Sequence, residues 1–226
     1  MYSLKIYNDT LVKFDMENKP TLKIFNIEVV SNKKELFPEA IKQDVTSETL
    51  KEFLQQRIVP KNRTFVENIL QTQNLDYRDI KGIIDISKGL SLTDCYWIAN
   101  DDTLKFENYN LFDNNFSEVL SLVAFTGYTS KIKGIATSPE FTTDGALPKA
   151  WRRIDNSVFL FKGSTAYLKA SNGGNEPYSE YMCSSILAAM GMKNFVPYTL
   201  KRYHGHLVSS CPIFTSKDVG YTPEVP

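Results

Sequence analysis

The spacing of apolar and polar positions predicts a strand and then a helix in the first sixty residues. Residues 22–29 alternate apolar and polar side chains in part, which is the period of a strand with one buried face. Leu50, Phe53 and Leu54 have the i, i+3, i+4 spacing of a helix face, and a Thr or Ser residue stands where this helix would be capped. Pro60 ends the helix, because proline cannot continue its hydrogen-bond ladder.

Three further helices are predicted between residues 62 and 127. Asn62 can cap the first of them, and residues 77–87 form the second, which ends near Gly89. Gly127 ends the third helix, whose apolar stripe is most simply explained as core. The apolar faces of the first and third helices are Phe65, Val66, Ile69 and Leu70, and Phe116, Val119, Leu120 and Val123, respectively.

The pattern changes near residue 130, where we place a domain boundary. Residues 158–163 predict a short buried strand ended by glycine, and residues 176–191 predict a helix with proline in its first turn. Residues 198–214 predict a hairpin that turns at His204-Gly205-His206. The sequence therefore predicts an α+β fold: a small amino-terminal α/β subdomain over residues 1–130, followed over residues 131–226 by an antiparallel sheet with one helix.

Composition narrows the classes of function. The 226 residues include 26 Lys and Arg against 26 Asp and Glu, so the chain lacks the net positive charge on which binding to nucleic acids or anionic membranes usually depends. Cys95, Cys183 and Cys211 are odd in number and lack CxxC spacing, so reduced thiols and a cytoplasmic location are expected. No apolar run resembles a signal-peptide core or a membrane span, so no membrane partner is expected. His204 and His206 are the only histidines, which excludes a multi-histidine zinc site.

A polar cluster between the first two predicted helices raises a DNA-binding alternative. A helix-turn-helix needs exposed Arg, Lys, Asn or Gln side chains directed into a groove. The same composition is typical of a solvated helix end and turn, and we prefer that interpretation. Direct nucleic-acid binding is therefore not expected of this cluster, whose members are Gln55, Gln56, Arg57, Lys61, Asn62 and Arg63.

Three features could together carry chemistry: the turn sequence of residues 142–149, Lys162 and Glu180. Lys162 follows four apolar residues, so its stem should lie on buried surface and its ammonium needs an anion. Kinase folds pair such a strand lysine with a glutamate of the next helix, and the lysine holds nucleotide phosphates beneath a glycine-containing loop. A lysine that only snorkels and a glutamate that only complements a helix dipole explain the same residues, so both interpretations stay open. Glu180 is expected to share an inward helix face with Cys183, Leu187 and Met190.

These residues belong to a set of motifs that resembles a kinase family. The motifs of the carboxy-terminal half are residues 144–151, residues 161–163, Glu180 with Gly191 eleven residues later, and Val196-Pro197. Together they resemble the amino-terminal lobe of HipA-like serine/threonine kinases. Three upstream motifs look like the amino-terminal region of a Gram-positive branch of these kinases, so the resemblance covers most of the chain. The upstream motifs are residues 58–63, 88–94 and 138–145.

The resemblance implies a nucleotide site with ATP as the cofactor. Gly145, Ala146 and Lys149 would belong to the loop that covers the phosphates, Lys162 would bind a phosphate, and Glu180 would be its ion-pair partner. Magnesium would be held only through a second lobe. No residue of this chain is assigned a catalytic or metal-binding role.

The resemblance also implies a hinge and a regulatory residue. Cys211 and Ile213 would lie at the start of the hinge that contacts adenine, and Thr142 would be a site of regulatory phosphorylation. Alternatively, Thr142 and Thr143 only begin the turn at residues 144–145 through hydrogen bonds from side chain to backbone.

A kinase also needs a second lobe that carries a catalytic Asp and Asn and a metal-binding Asp, and only twelve residues follow Phe214. We therefore expect the amino-terminal portion of a HipA-like kinase, which positions ATP but does not transfer phosphate alone. Its partners would be ATP, a protein substrate and the missing lobe. An antitoxin-like protein would be a further partner. One alternative is a non-catalytic binding or regulatory subunit that pairs with a separate kinase lobe or toxin. A DNA-associated regulator is the third alternative.

Overall fold

The computed structural model describes residues 1–132, 137–165 and 173–221. Within these ranges the chain forms two antiparallel sheets of four strands each, with strand orders β3-β2-β1-β4 and β5-β6-β8-β7. The predicted α+β class is confirmed. The strands are β1 Tyr2–Ile6, β2 Asp9–Asn18, β3 Leu22–Val29, β4 Tyr96–Ala99, β5 Lys149–Ile154, β6 Ser157–Lys162, β7 Thr199–Tyr203 and β8 His206–Pro212. The α-helices in the described residues are α1 Glu39–Lys42, α2 Ser47–Gln56, α3 Val66–Gln71, α4 Ile80–Ser87, α5 Glu118–Thr126 and α6 Glu176–Ala189.

The first sheet buries one face against helices α2 and α4, and α3 and α5 contribute to the same core. Val12, Phe14 and Met16 of β2 alternate inward along the centre of this sheet, as the two-residue period of a strand requires. The strand predicted over residues 22–29 is confirmed as β3. Its three partners in the sheet were not predicted.

Helix α2 begins where its capping signal predicts, whereas helix α3 does not. Helix α2 begins after Thr46, whose side chain accepts from the Thr49 backbone N–H while the Thr49 side chain accepts from the backbone N–H of Thr46. The buried residues of α2 are those predicted, Leu50, Phe53 and Leu54. The predicted cap of α3, Asn62, is wrong. Instead, Phe65 precedes α3 in a left-handed conformation with a φ of 63°.

Helix α5 ends at Gly127 as predicted, but its buried face differs from the prediction. Val119 is 43% exposed, whereas Leu120, Val123 and Phe125 are buried. Phe125 packs against the second sheet, and Ser121 Oγ donates to the carbonyl of Trp151 in β5 at 3.0 Å. The helix is therefore held from two sides, which an i, i+3, i+4 stripe alone does not describe.

The second sheet contains the strand, helix and hairpin that were predicted after residue 130. Strand β6 matches residues 158–163, α6 has proline in its first turn, and β7 and β8 form the hairpin. His204 and Gly205 make the hairpin turn with φ angles of 45° and 82°. Strand β5 was not predicted.

The two sheets share buried side chains. Phe141 lies in the core of the first sheet, and Val158 of β6 packs with Trp97 of β4. After β8 the chain returns to the first subdomain, where the backbone N–H of Tyr221 donates to the carbonyl of Thr93 at 2.7 Å. Residues before and after position 130 therefore share a continuous core. That two domains meet near residue 130 stays a prediction.

Two arginines of the polar cluster are buried, so the prediction of a solvated turn is wrong for them. Arg57 is 6% exposed and Arg63 is 2% exposed. Arg57 donates from Nη1 and Nη2 to both carboxylate oxygens of Asp94, at 2.9 and 2.8 Å. Its Nε donates to the carbonyl of Gly89 at 2.6 Å. Because Arg57 joins the end of α2 to the segment before β4, it is a core polar contact.

In the ranges described, no helix has both the length and the apolar character to cross a membrane.

Candidate functional site

The centre of the candidate site is an ion pair between the end of β6 and the first half of α6. Lys162 Nζ donates to Glu180 Oε1 at 2.7 Å and to the hydroxyl of Tyr198 at 2.8 Å. The other carboxylate oxygen of Glu180 accepts from Ser209 Oγ of β8. The expectation that Lys162 and Glu180 satisfy each other is confirmed. Burial alone would lower the pKa of Lys162, but the bonds to Glu180 and Tyr198 outweigh it and raise this pKa above its usual value.

Helix α6 presents a narrower inward face than predicted. Pro177 and Ser184 are buried, Glu180 is half-buried between them, and Ser184 Oγ accepts from the backbone N–H of Tyr198 at 2.9 Å. Cys183 is exposed and Met190 is 70% exposed, so neither belongs to the inward face. These two side chains stay exposed because β7 and β8 contact only one narrow stripe of the helix.

Lys149, the first residue of β5, lies beside Lys162. The two residues are directly paired across β5 and β6, and the Lys149 ammonium turns back to donate to the carbonyl of Asp144. The pKa of Lys149 is lowered to about 8, mainly by burial and then by the nearby charges of Arg63 and Lys162. Gly145 has a φ of 87°, and a Cβ there would collide with Lys149 Nζ. The left-handed φ favours glycine at this turn, and any larger residue would also displace the Lys149 ammonium.

The glycine loop, residues 142–148, is attached to the amino-terminal subdomain. Arg63 donates from Nη1 to the carbonyl of Thr143 at 3.1 Å and from Nη2 to that of Lys149 at 3.0 Å. Thr64 donates from its backbone N–H and its hydroxyl to the carbonyl of Ala146, at 2.9 and 2.7 Å. Sequence reasoning did not include Arg63 or Thr64 in the site. Arg63 stands in the motif of residues 58–63, but no sequence signal indicates that its side chain reaches residues eighty positions later.

Thr142, the residue assigned a regulatory role, is inaccessible in this conformation. It is buried, and its hydroxyl donates to the carbonyl of Leu90 at 2.8 Å. The neighbouring Thr143 hydroxyl accepts from Trp151 Nε1 at 2.8 Å. Phosphorylation of Thr142 would therefore require the glycine loop to leave its place first, and the regulatory role stays a prediction.

The two residues assigned to the hinge lie at the end of β8. Cys211 is buried opposite Leu160 of β6, and burial raises the pKa of its thiol. Ile213 donates its backbone N–H to the carbonyl of Val158 at 2.9 Å, and its side chain packs against the Trp97 cluster. The structure thus places Cys211 on a strand next to Lys162, while the Ile213 side chain supports the first subdomain.

Two surface pockets lie elsewhere, and neither is lined by Lys149 or Lys162. A pocket of about 290 Å³ lies between α5 and β5 and includes Trp151 and Arg152 in its lining. Another of about 500 Å³ lies where α3 ends and includes Asp79. Among the described residues, no group of three His, Cys, Asp or Glu side chains is arranged to hold a metal ion.

The lowered pKa of Lys149 predicts that the stability of the fold depends on pH. The folded chain loses this proton near pH 8, whereas the unfolded chain keeps it up to about pH 10.5. Between these values the unfolded state binds more protons, so the contribution of Lys149 to stability should rise by about 1.4 kcal/mol per pH unit. Denaturant unfolding of wild type and Lys149→Met at pH 7 to 10 measures it. We expect the free energy of unfolding of wild type to increase relative to that of the variant as pH rises. A difference between the two that stays constant with pH would contradict the shifted pKa.

Comparisons of the chain with protein-family models, with curated protein sequences and with solved structures gave no match. The HipA-like resemblance therefore rests on the motifs quoted above.

Proposed function

We propose that this chain is the nucleotide-positioning portion of a HipA-like serine/threonine protein kinase. It would bind the phosphates of ATP between Lys162 and the glycine loop, and a catalytic lobe outside these 226 residues would perform the phosphoryl transfer. The observation that carries the proposal is the bond of Lys162 Nζ to Glu180 Oε1 at 2.7 Å, next to Lys149 and the turn at Gly145. The pair is the device by which kinase folds fix an ammonium for phosphate.

Electrostatics support a phosphate ligand at this place. Three cations, Arg63, Lys149 and Lys162, lie close enough for the first and last to lower the pKa of Lys149. Glu180 is bonded to Lys162, and within the part of the chain that the structure describes the Lys149 ammonium has one acceptor, the carbonyl of Asp144. An anion placed between the two lysines would relieve their mutual repulsion, because opposite charge nearby favours the protonated form.

The same residues supply positioning and no acid–base chemistry. Asp218, the aspartate nearest the end of the chain, stands in an exposed turn where its backbone N–H donates to Ser216 Oγ at 3.1 Å. Phosphoryl transfer depends on carboxylates that hold magnesium and orient the hydroxyl nucleophile. We therefore assign ATP binding to this chain, and magnesium binding and catalysis to the other lobe.

A second candidate function is a non-catalytic subunit that pairs with a kinase lobe or toxin on another chain. The observation in its favour is the outer surface of α6 and the turn after it, which carries large exposed apolar side chains and no charged residue between Tyr181 and Met192. Exposed apolar patches of this kind are typical of protein interfaces. The exposed side chains are Tyr178, Tyr181, Met182, Ile186, Met190 and Met192.

The third candidate, a DNA-associated regulator, has less support in the fold. Arg57 and Arg63 are buried and bonded within the chain, so they cannot read a groove. Of the residues from 55 to 63, Lys61 is the one exposed cation. A DNA-reading face needs several such groups.

Titration of the full chain with ATP, followed by NMR, tests the first proposal. We expect weak saturable binding, with a Kd on the order of 0.1–1 mM, and chemical-shift changes centred on residues 142–149 and on Lys162. Lys162→Met should weaken binding about 10- to 100-fold, because a hydrogen-bonded charge is lost. Lys23→Met, which removes an exposed strand lysine of β3, should leave the affinity unchanged.

Turnover provides the second half of this test. With magnesium and labelled ATP, wild type should transfer or hydrolyse no more phosphate than the Lys162→Met variant. ATP binding that is absent, or is insensitive to Lys162→Met, would contradict the first proposal and favour the second candidate.

A further inference from the structure

The glycine loop is held by the subdomain that precedes it in the chain. Arg63 bonds to a carbonyl on each side of the turn, Thr143 and Lys149, while Thr64 makes two bonds to Ala146 at its middle. Thr142, where the loop begins, donates to Leu90 of the same subdomain. The loop is therefore fixed at its start, middle and end by the amino-terminal subdomain.

The attachment point is anchored in the core. Residues 60–65 form a tight turn, in which the backbone N–H of Arg63 donates to the carbonyl of Pro60 at 3.0 Å. Ile58 and Val59 before it are buried, and the ring of Phe65 after it lies so close to Gly127 that a Cβ at residue 127 would collide with it. Arg63 is thus presented to the loop by a turn anchored in the core on both sides.

These bonds also set the direction of the loop's amide groups. All the peptide bonds of the loop are trans, so each carbonyl and the following N–H point in opposite directions. Because the carbonyls of Thr143 and Ala146 face Arg63 and Thr64, the N–H groups of Asp144 and Leu147 point away from the amino-terminal subdomain. Backbone N–H groups held in a fixed direction are the donors that phosphate-binding loops use.

The bonds that Arg63 makes to the loop carry a cost in stability, because its guanidinium is buried. Burial lowers the pKa of Arg63 to about 10, partly offset by the nearby charges of Glu140 and Asp144, and its buried Nε has no hydrogen-bond partner among residues 1–132, 137–165 and 173–221. A buried cation with an unsatisfied donor is unfavourable for stability by itself. A methylene chain in its place would leave the loop carbonyls of Thr143 and Lys149 without a donor.

We propose that Arg63 and Thr64 are positioning residues of the nucleotide site, which hold the glycine loop in the conformation that accepts phosphate. This inference rests on the proposed ATP-binding function and goes beyond it: the amino-terminal subdomain sets the affinity of a site formed mainly by the second sheet. Displacement of the turn at residues 60–65, for example by a protein bound there, would lower the affinity for ATP.

Hydrogen–deuterium exchange of the full chain without nucleotide tests the attachment directly. Arg63→Gln should speed loop exchange, read at the Thr64 amide that donates to the carbonyl of Ala146, at least tenfold while exchange in β8 and α6 stays as in wild type. Arg63→Lys, which keeps the charge and can reach one carbonyl, should give an intermediate rate. Arg78→Gln, which replaces an exposed arginine, should change neither. Unchanged loop exchange in a folded Arg63→Gln variant would overturn the proposal.

Thr64→Val is the second variant, because it removes one hydroxyl donor, keeps the side-chain shape and does not strand a charge. It should speed loop exchange about threefold, and exchange identical to wild type would count against the proposal even if Arg63→Gln does not fold. Affinity for ATP should fall in the same order as exchange rises. If wild type binds no ATP, the proposed function fails, whereas fast loop exchange in Thr64→Val would still support the attachment.

Discussion

Replacing Asp94 with alanine is expected to lower the free energy of unfolding by about 3–5 kcal/mol, which is a large fraction of the stability of a typical domain. Asp94 accepts two bonds from Arg57 at 2.9 and 2.8 Å, and the Arg57 side chain is only 7% exposed. Without the carboxylate, a buried guanidinium keeps its bonds to the carbonyls of Gly89 and Tyr96 but has no counter-charge. Denaturant unfolding followed by circular dichroism measures the loss.

Arg78→Ala is the matched control for this prediction. It also breaks an Arg–Asp pair, with Asp76 at 3.1 Å, but the two side chains are 89% and 59% exposed. Because water screens and replaces an exposed pair, the unfolding midpoint should stay at its wild-type value. Equal effects of Asp94→Ala and Arg78→Ala would show that the burial of Arg57 does not determine the outcome.

Much of the fold could be predicted where a segment carries its own signals. Helix α2 has a capping pair at Thr46 and Thr49 and three apolar residues on one face, and α6 has Pro177 at its start. The β7–β8 hairpin has Gly205 in its turn. Each of these depends on residues within a few positions of each other, so the sequence pattern and the structure agree.

Strand β2 was missed even though a local signal exists. Val12, Phe14 and Met16 alternate inward, but Leu11 is also buried and breaks the two-residue pattern where the strand begins. Strands β1 and β4 are short, at five and four residues, and are defined by their pairing with each other rather than by their own composition. Pairing between residues ninety positions apart is a tertiary property that a local period does not record.

The same distinction explains the candidate site. The contact between Lys162 and Glu180 could be predicted, because a strand and the next helix are neighbours and each of the two residues needs a partner. Arg63 and Thr64 were not, since their contacts with Thr143 and Ala146 depend on how the two subdomains pack. Composition favoured a solvated turn for Arg63, whereas in the structure this residue is only 2% exposed.

Glu180→Ala is expected to cost about 2–3 kcal/mol in the free energy of unfolding, less than Asp94→Ala. Lys162 and Glu180 are 19% and 26% exposed, so water can solvate part of the lysine once its partner is removed. Tyr198 would still accept from Lys162 Nζ, but Ser209 Oγ would lose its acceptor. The expected loss is therefore that of a charged hydrogen bond in a half-buried place.

Glu180→Gln separates charge from hydrogen bonding in this pair. Its amide oxygen can accept from Lys162, so we expect it to recover about half of the stability lost in Glu180→Ala. The double variant Lys162→Met with Glu180→Leu should be more stable than either the Lys162→Met or the Glu180→Leu single variant, because each single change leaves one unpaired charge. Strictly additive effects in this cycle would show that the two groups do not interact in solution.

The same variants distinguish the pair's structural role from its role in ATP binding. If Glu180 serves only the fold, Glu180→Gln should bind ATP as wild type does once the chain is folded, because Lys162 remains charged and in place. If Glu180 fixes the direction of the Lys162 ammonium toward phosphate, the affinity should fall several-fold in Glu180→Gln while the unfolding midpoint drops only slightly. We expect the second outcome, because among the described residues Glu180 Oε1 and the Tyr198 hydroxyl accept from Lys162 Nζ and orient it.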